Sequence, residues 1–551
     1  MNERALLNVW GGGQLFCFSG IDGKTDFDEG LVLRTVADIA AFEVKLPAAG
    51  GIVLLGDSAP AECFLAGDHF RIVTGRDEVV RGAMVDAYHL LLEGNCRVLG
   101  LADALRIRRD GMNTLLGVRS RFRPGLLDSD FGSLFAARRS WLDGLKLPES
   151  LSEASRRAAA KACSMLKTQV CSPEGRLNHF WSTPDRWPHR RMWLWDSVFH
   201  AVGMRRLDPG LARDFISAVF DVSREDGFIP HAASPSGSSE ITQPPILAYG
   251  IAKVEEMESD PEWVRGLYPR LKRFLEWIFT HRDSDGAGLM EWAIEAHADC
   301  RSGESGMDNS PRFDGAIQLD APDFNAYLAH ECELMARFAE HYGFPADISY
   351  WQAHHDRLNR LMNERLWEDA EGLYTDYDVT ADRRTNIYSS AGFLPLLSGT
   401  PSKEQAARMV KQLTDPAKFG TPFGVPSISR LSEAAYAKDM WRGPVWININ
   451  YLICEGLRRY GYLAEADRLQ RESMREIEKF YLKYGTFFEF YDDRRQCDPP
   501  QLLRKRSLDP DDSPYHQVFF DYGWTGTLYL DMVFGSRMQN GTPPGGSCVP
   551  R

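Results

Sequence analysis

Over roughly the first 140 positions, apolar residues come in short runs broken by Gly, Asp and Asn. Leu15-Phe16-Cys17-Phe18, the stretch 30–36, Gly51-Ile52-Val53-Leu54-Leu55 and His69-Phe70-Arg71-Ile72-Val73-Thr74 are strand-like in length and residue type. Their spacing predicts a β-rich, sandwich-like unit over residues 1–140. Near Ser140 the period changes to helical. Ala158, Ala162, Met165 and Leu166 share one face of a predicted helix over 150–171. Asp260-Pro261 opens a second, over 261–280, with Trp263, Leu267, Leu271, Phe274, Leu275 and Ile278 at helical spacing. Ser402 and Gln405 form a capping box ahead of 403–413.

Further helical stretches fall near 193–206, 210–222, 243–257, 323–342, 347–366, 387–397, 443–460, 463–482 and 519–533. That makes about twelve helices joined by loops of uneven length; heptads are not sustained, which excludes a coiled coil, and no fixed repeat is seen, which disfavours a short-period solenoid. They fit a double ring of six inner and six outer helices over 141–535, although periodicity alone leaves closure of the ring open. The predicted class is therefore α+β and multidomain, mainly α, with an (α/α)6 toroid after the β-rich unit. Residues 536–551 contain Gly541-Thr542-Pro543-Pro544-Gly545-Gly546 and are expected to form a flexible tail.

Composition narrows the function. The chain is 551 residues with a net charge of −13, and no basic block dominates, so nucleic acid is not an expected partner. No apolar run of about 18 residues predicts a membrane span, and the opening Met1-Asn2-Glu3-Arg4 lacks the pattern of a signal peptide. A cytoplasmic location is the resulting expectation. Ten scattered cysteines without a C-x-x-C pair read as free thiols rather than disulfides or a zinc site. Dispersed histidines and the absence of H-E-x-x-H argue against a catalytic metal, and without a Walker or G-x-G-x-x-G loop no nucleotide cofactor is expected. Whether a structural cation binds, and in what oligomeric state the chain exists, are not readable.

Tryptophans gather in short polar motifs rather than apolar stripes, which suits a ligand with apolar C–H faces and polar hydroxyls, as a sugar has. Trp193-Leu194-Trp195-Asp196-Ser197 stands at a helix start, where Asp196 or Ser197 could equally be an N-cap. Asp226-Gly227-Phe228-Ile229-Pro230-His231 is followed by Gln243-Pro244-Pro245, and Gln243 could cap or bind. Glu304-Ser305-Gly306-Met307-Asp308-Asn309-Ser310 sets two acids four apart in a loop, either as catalytic groups or as turn caps. Trp441-Arg442-Gly443-Pro444 reads as a binding wall or as a structural Trp–Arg stack. In Phe487-Phe488-Glu489-Phe490-Tyr491, an acid among aromatics is a candidate catalyst unless it is paired or points to water. Asp521-Tyr522-Gly523-Trp524 adds a further Trp–Gly loop.

Taken in order, these motifs resemble glycoside hydrolase family 63 over roughly residues 150–535, with more distant likeness to trehalases. The resemblance implies an (α/α)6 toroid and an inverting hydrolase without a catalytic metal. It implies Asp308 as general acid and Glu489 as general base. Trp195, Asp196, Gln243, Trp441 and Arg442 match sugar-holding positions, and His231, Glu304, Gly443 and Trp524 complete the expected sugar-contacting set. Glu304 is a candidate source of like charge beside the acid. The expected activity is exo-cleavage of a terminal α-linked glucose. The alternatives are an α-mannoside or sugar–glycerate hydrolase of the same fold, and a non-catalytic carbohydrate-binding protein.

Overall fold

The structure is a computed structural model that describes residues 8–295, 297, 300–316 and 318–535. The expected tail at 536–551 lies outside the described residues.

Among the described residues, eleven strands form two antiparallel sheets in the N-terminal part. The first has the order β1 (Leu15–Cys17), β2 (Val32–Thr35), β3 (Ala41–Leu46), β4 (Ile52–Leu54) and β9 (Arg97–Leu99). The second runs β10 (Leu105–Asp110), β11 (Asn113–Val118), β8 (His89–Glu93), β7 (Val79–Asp86), β6 (His69–Val73) and β5 (Glu62–Leu65). The period of two turns alternate residues inward. Phe16, Leu33, Phe42 and Val53 of one sheet meet Phe70, Ile72, Leu90, Leu92 and Leu116 of the other in one apolar cluster. The opposite face of β7, β8 and β11 carries Ala83, Leu91 and Leu115, which pack on Leu127 and Phe131. Phe131 opens α1 (Phe131–Gly144), capped by the Asp130 carboxylate, which accepts from the N–H of Ser133. The sequence reading extended the β-rich unit through this stretch and missed the helix.

Twelve helices follow among the described residues. Six touch in a closed ring, each meeting the next and the last meeting the first: α3 (Leu194–Met204), α5 (Leu247–Glu255), α7 (Pro322–Tyr342), α9 (Pro395–Ser398), α11 (Ile447–Arg459) and α13 (Gly523–Gly535). The other six are α2 (Glu153–Gln169), α4 (Pro209–Asp221), α6 (Pro261–His281), α8 (Ile348–Leu361), α10 (Lys403–Thr414) and α12 (Leu463–Tyr484). Their burial matches this order. In α3, α11 and α13 nearly every side chain is buried, whereas α6 buries one face, Val264, Leu267, Tyr268, Leu271, Phe274, Leu275, Trp277 and Ile278, and leaves the other side partly or fully exposed. Among the described residues no helix is long and apolar enough to cross a membrane.

Candidate active site

A pocket of about 290 Å³ opens at one end of the helix ring. Its walls come from residues at or just before the N-termini of ring helices: Trp193, Trp195 and Asp196 at α3, Gln243 before α5, Trp441 and Trp446 before α11, and Tyr522 and Trp524 at α13. Loops add His189, His231, Glu295, Cys300, Gly303, Gly306, Asp308, Glu489, Arg504 and Lys505. Helix N-termini carry partial positive charge and unpaired N–H groups, so this end favours oxygen-rich ligands.

Aromatic rings shape the floor. Trp441 and Trp446 stack at 3.8 Å with a 3° interplanar angle. Trp195 stands edge-on to Trp524 at 5.2 Å and 6.4 Å from Trp441. Polar atoms are left open among these rings. Among the described residues, Oδ1 of Asp196 and the indole nitrogens of Trp193 and Trp524 are buried without a hydrogen-bond partner. Burial, with the charge of Glu489 adding to it, raises the Asp196 carboxyl well above the usual carboxylate range. Asp196 is not a helix cap, since the cap position is Trp193, and the Ser197 hydroxyl donates to the Trp193 carbonyl. Gln243 takes both of its readings: its Oε1 accepts the Trp195 N–H at 3.1 Å while the residue lines the pocket. Burial lowers His231 to about 4, and its Nδ1 is hydrogen-bonded to the Ser239 hydroxyl.

Glu489 is 2% exposed and lies in an extended segment fixed by bridges from Phe488 to Phe520 and from Tyr491 to Val445. Its carboxylate is paired. Arg504 donates from Nε to Oε2 at 2.9 Å and from Nη2 to Oε1 at 3.2 Å, and the guanidinium lies over Phe519. Asp308 sits in a loop whose turn is made by Gly306 at φ +70°, and its carbonyl accepts from the N–H groups of Arg301 and Ser302. The Asp308 side chain is 25% exposed, with Nζ of Lys505 3.8 Å from its Oδ2. The Cys300 thiol, raised by burial and by the Asp308 charge, is hydrogen-bonded to it.

Eight of the eleven expected site residues therefore meet in one pocket: Trp195, Asp196, His231, Gln243, Asp308, Trp441, Glu489 and Trp524. Three do not. Glu304 is fully buried and turned away, its carboxylate accepting from Arg282 at 3.0 and 2.6 Å and from the N–H groups of Thr242 and Ala293. Its charge is thus neutralised rather than set against Asp308. Arg442 points outward to Asp314, at 2.9 and 2.6 Å, and to the Asn309 carbonyl. Gly443 donates to the Ser427 hydroxyl and leaves no room for a Cβ against Tyr436 and the Ala437 carbonyl, a backbone role rather than a ligand contact. The sequence reading missed Arg504, Lys505, Cys300 and His189. The one available signal was the Arg504-Lys505-Arg506 run, which looks like a solvated charge cluster until its partners are seen. Among the described residues, no three His, Cys, Asp or Glu side chains are placed to hold a metal ion, and the nine cysteines are unpaired.

The family model described as the mannosylglycerate hydrolase MGH1-like glycoside hydrolase domain matches residues 188–496, more than half of the chain. The mannosylglycerate hydrolase MGH1 of Selaginella moellendorffii is 26% identical over 380 residues, covering 54% of this chain and 75% of that protein. A mannosylglycerate hydrolase of Thermus thermophilus is 26% identical over 381 residues, covering 54% of this chain and 88% of the relative. In fold, the chain is similar to a family 63 mannosylglycerate hydrolase from another strain of Thermus thermophilus, solved with glucose. The TM-score is 0.56 at 24% identity, over 68% of this chain and 99% of the other.

Proposed function

Since the chain belongs to the mannosylglycerate hydrolase MGH1-like glycoside hydrolases of family 63, we propose that it is an inverting enzyme that releases one terminal α-linked sugar, with Asp308 as general acid and Glu489 as general base. The closed ring of helices is read as the (α/α)6 toroid, residues 141–535, following an N-terminal unit at 1–140. The observation that carries the reading is the pocket itself. Two carboxylates face one small space floored by tryptophans, in which buried polar atoms of Asp196, Trp193 and Trp524 have no partner among the described residues. A sugar ring satisfies both demands: its C–H faces lie on indoles and its hydroxyls pair with the open atoms. The open Oδ1 of Asp196 is placed to pair with a sugar hydroxyl.

In this mechanism Asp308 gives its proton to the glycosidic oxygen as the bond from C1 to that oxygen breaks. Glu489 takes a proton from the water whose oxygen bonds C1 on the opposite face. Arg504 holds the Glu489 carboxylate in place for this step. Inversion requires the two carboxyl groups ~6.5–9.5 Å apart across the sugar. The aglycone side is distinguished by Lys505, whose ammonium stands beside the acid and so beside the departing group. That favours a small anionic aglycone, as in the sugar–glycerate alternative, over the oligosaccharide or small glucoside first expected from sequence.

The test is proton NMR of the purified protein with mannosylglycerate, glucosylglycerate, kojibiose, nigerose and trehalose. Early β-anomer from a sugar glycerate is the expected result. Early α-anomer would reject the inverting pair, and sugar release only from the neutral disaccharides would reject the anionic aglycone. Protection against heat by a sugar that is never cleaved would mark a binding protein instead. Asp308→Asn and Glu489→Gln are each expected to lower kcat by ~10²-fold or more with the fold intact.

A further inference from the structure

Asp439 is buried and does not line the pocket, yet it holds the groups that hold the two carboxylates. It is 2% exposed and precedes the single turn Met440–Arg442. Its Oδ1 accepts the N–H of Lys505 at 2.9 Å, and its Oδ2 accepts the N–H of Arg506 at 3.0 Å. Both donors lie in the left-handed region, Lys505 at φ 57° and Arg506 at φ 67°. Two consecutive non-glycine residues there are strained and persist only where the surroundings impose them. Asp439 also forms a parallel bridge with Leu503, whose N–H donates to the Lys438 carbonyl at 2.8 Å. The Asp439 carboxylate is further hydrogen-bonded to the side chain of Asn309, the residue after Asp308, and Oδ1 of Asn309 accepts the N–H of Trp441.

The clamped segment is short and serves both reacting groups. Arg504 pairs with Glu489, and its neighbour Lys505 pairs with Asp308. Adjacent side chains of an ordinary extended strand point to opposite faces. Here the left-handed turn at Lys505 and Arg506 lets successive cations reach two carboxylates that line the same pocket.

We propose that Asp439 is a positioning residue for catalysis: by pinning the left-handed turn at Lys505 and Arg506 and the side chain of Asn309, one buried carboxylate sets the placement of Asp308 and Glu489 together. The proposal rests on the assignment of those two residues as acid and base. It acts on alignment rather than on sugar binding, so its loss falls on kcat. A misplacement of about an ångström costs up to ~10²-fold.

The experiment compares wild type, Asp439→Asn, Arg506→Gly and the double variant Asp439→Asn/Arg506→Gly. Steady-state kinetics are read on whichever sugar glycerate the wild type cleaves, and amide hydrogen exchange is read on the peptide containing 503–507. In Asp439→Asn one acceptor becomes a donor facing an N–H. The expected result is a kcat lower by about 10–100-fold with KM changed less than about threefold, and faster exchange at Lys505 and Arg506. Glycine adopts a positive φ freely, so the double variant should regain about fivefold or more of the lost kcat. Should Asp439→Asn fail to fold, Asp439→Glu takes its place. It keeps both acceptors but shifts them by a methylene, and the same fall in kcat is expected. Unchanged kcat and exchange in Asp439→Asn, or a kcat loss that Arg506→Gly does nothing to restore, would overturn the proposal. If the wild type cleaves none of the glycosides, the assignment of acid and base falls, and the exchange result alone decides whether Asp439 clamps this turn.

Discussion

Gly306 illustrates how much of the site hangs on single residues. Its φ is +70°, and a Cβ there would lie 2.5 Å from Cζ2 of Trp195. Gly306→Ala therefore meets both backbone strain and an aromatic wall that must move. We expect it to lower kcat/KM by about tenfold or more and stability by roughly 1–3 kcal/mol, read from kinetics and thermal melts together. Wild-type kcat/KM in this variant would mean that Trp195 does not contact the substrate. The same glycine explains what the sequence could and could not tell. Glu304 and Asp308 look equivalent as two acids four apart in a polar loop. The turn at Gly306 separates them, burying Glu304 against Arg282 and leaving Asp308 on the pocket. The residue types that mark a sugar site, tryptophans beside acids and amides, were legible because their chemistry is local. Arg504 and Lys505 were not, because their meaning depends on partners 15 and 197 positions away and on a backbone turn that no residue type there announces.

At the scale of elements, helices were legible wherever a cap and a stripe coincided. Asp260 caps α6 through the Trp263 N–H, and Ser402 with Gln405 forms the reciprocal box at the start of α10. The stretch 387–397 did not become one helix. Pro395 lacks the donor that would continue it, so a short turn, Ser390–Phe393, precedes the four-residue α9, which ends at Gly399 with φ 78°. Helical period also says nothing about how loops attach to helices. That attachment comes from buried charge, as at Arg312, which lies just after the Asp308 loop. Its guanidinium donates to Asp323 in the first turn of α7 at 2.7 and 2.9 Å and to Asp376 at 2.8 and 2.6 Å, with no part of the side chain exposed. Arg312→Met leaves two carboxylates buried without their cation, so a loss of about 3–5 kcal/mol is expected in chemical denaturation. Loss of kcat in the same variant would follow from release of the Asp308 loop. A loss below about 1 kcal/mol would mean that the acids are solvated when the arginine is gone.

Across the whole molecule, buried charge secures both ends of the ring. The N-terminal sheets buttress the pocket end: Arg34 of β2 donates to the carbonyls of Gly13, Asp185, Trp187 and Phe520, and the Leu15 N–H donates to the Asp521 carboxylate, itself paired with Lys161. The far end is closed by Asp531 of α13. It accepts from Arg205 at 3.1 Å and Arg206 at 2.7 Å, just past the end of α3, and from the Tyr451 hydroxyl of α11 at 2.6 Å. These contacts join the last helix of the ring to the first, and the pH dependence of stability should report them. Burial alone would raise the Asp531 carboxyl, but the two arginines outweigh it and hold it at about 2. An unfolded aspartate titrates near ~3.9. The folded value is depressed, so the contribution is fully present above about pH 4 and is lost as pH falls through about 2. It amounts to roughly 2–3 kcal/mol. Asp531→Asn removes the charge at every pH. Its deficit against wild type, read from urea midpoints, should be largest from pH 5 to 7 and shrink between pH 4 and 2. A deficit that stays constant down to pH 2 would mean that Asp531 closes the ring by shape and hydrogen bonds alone, and that charge has no part in joining α13 to α3.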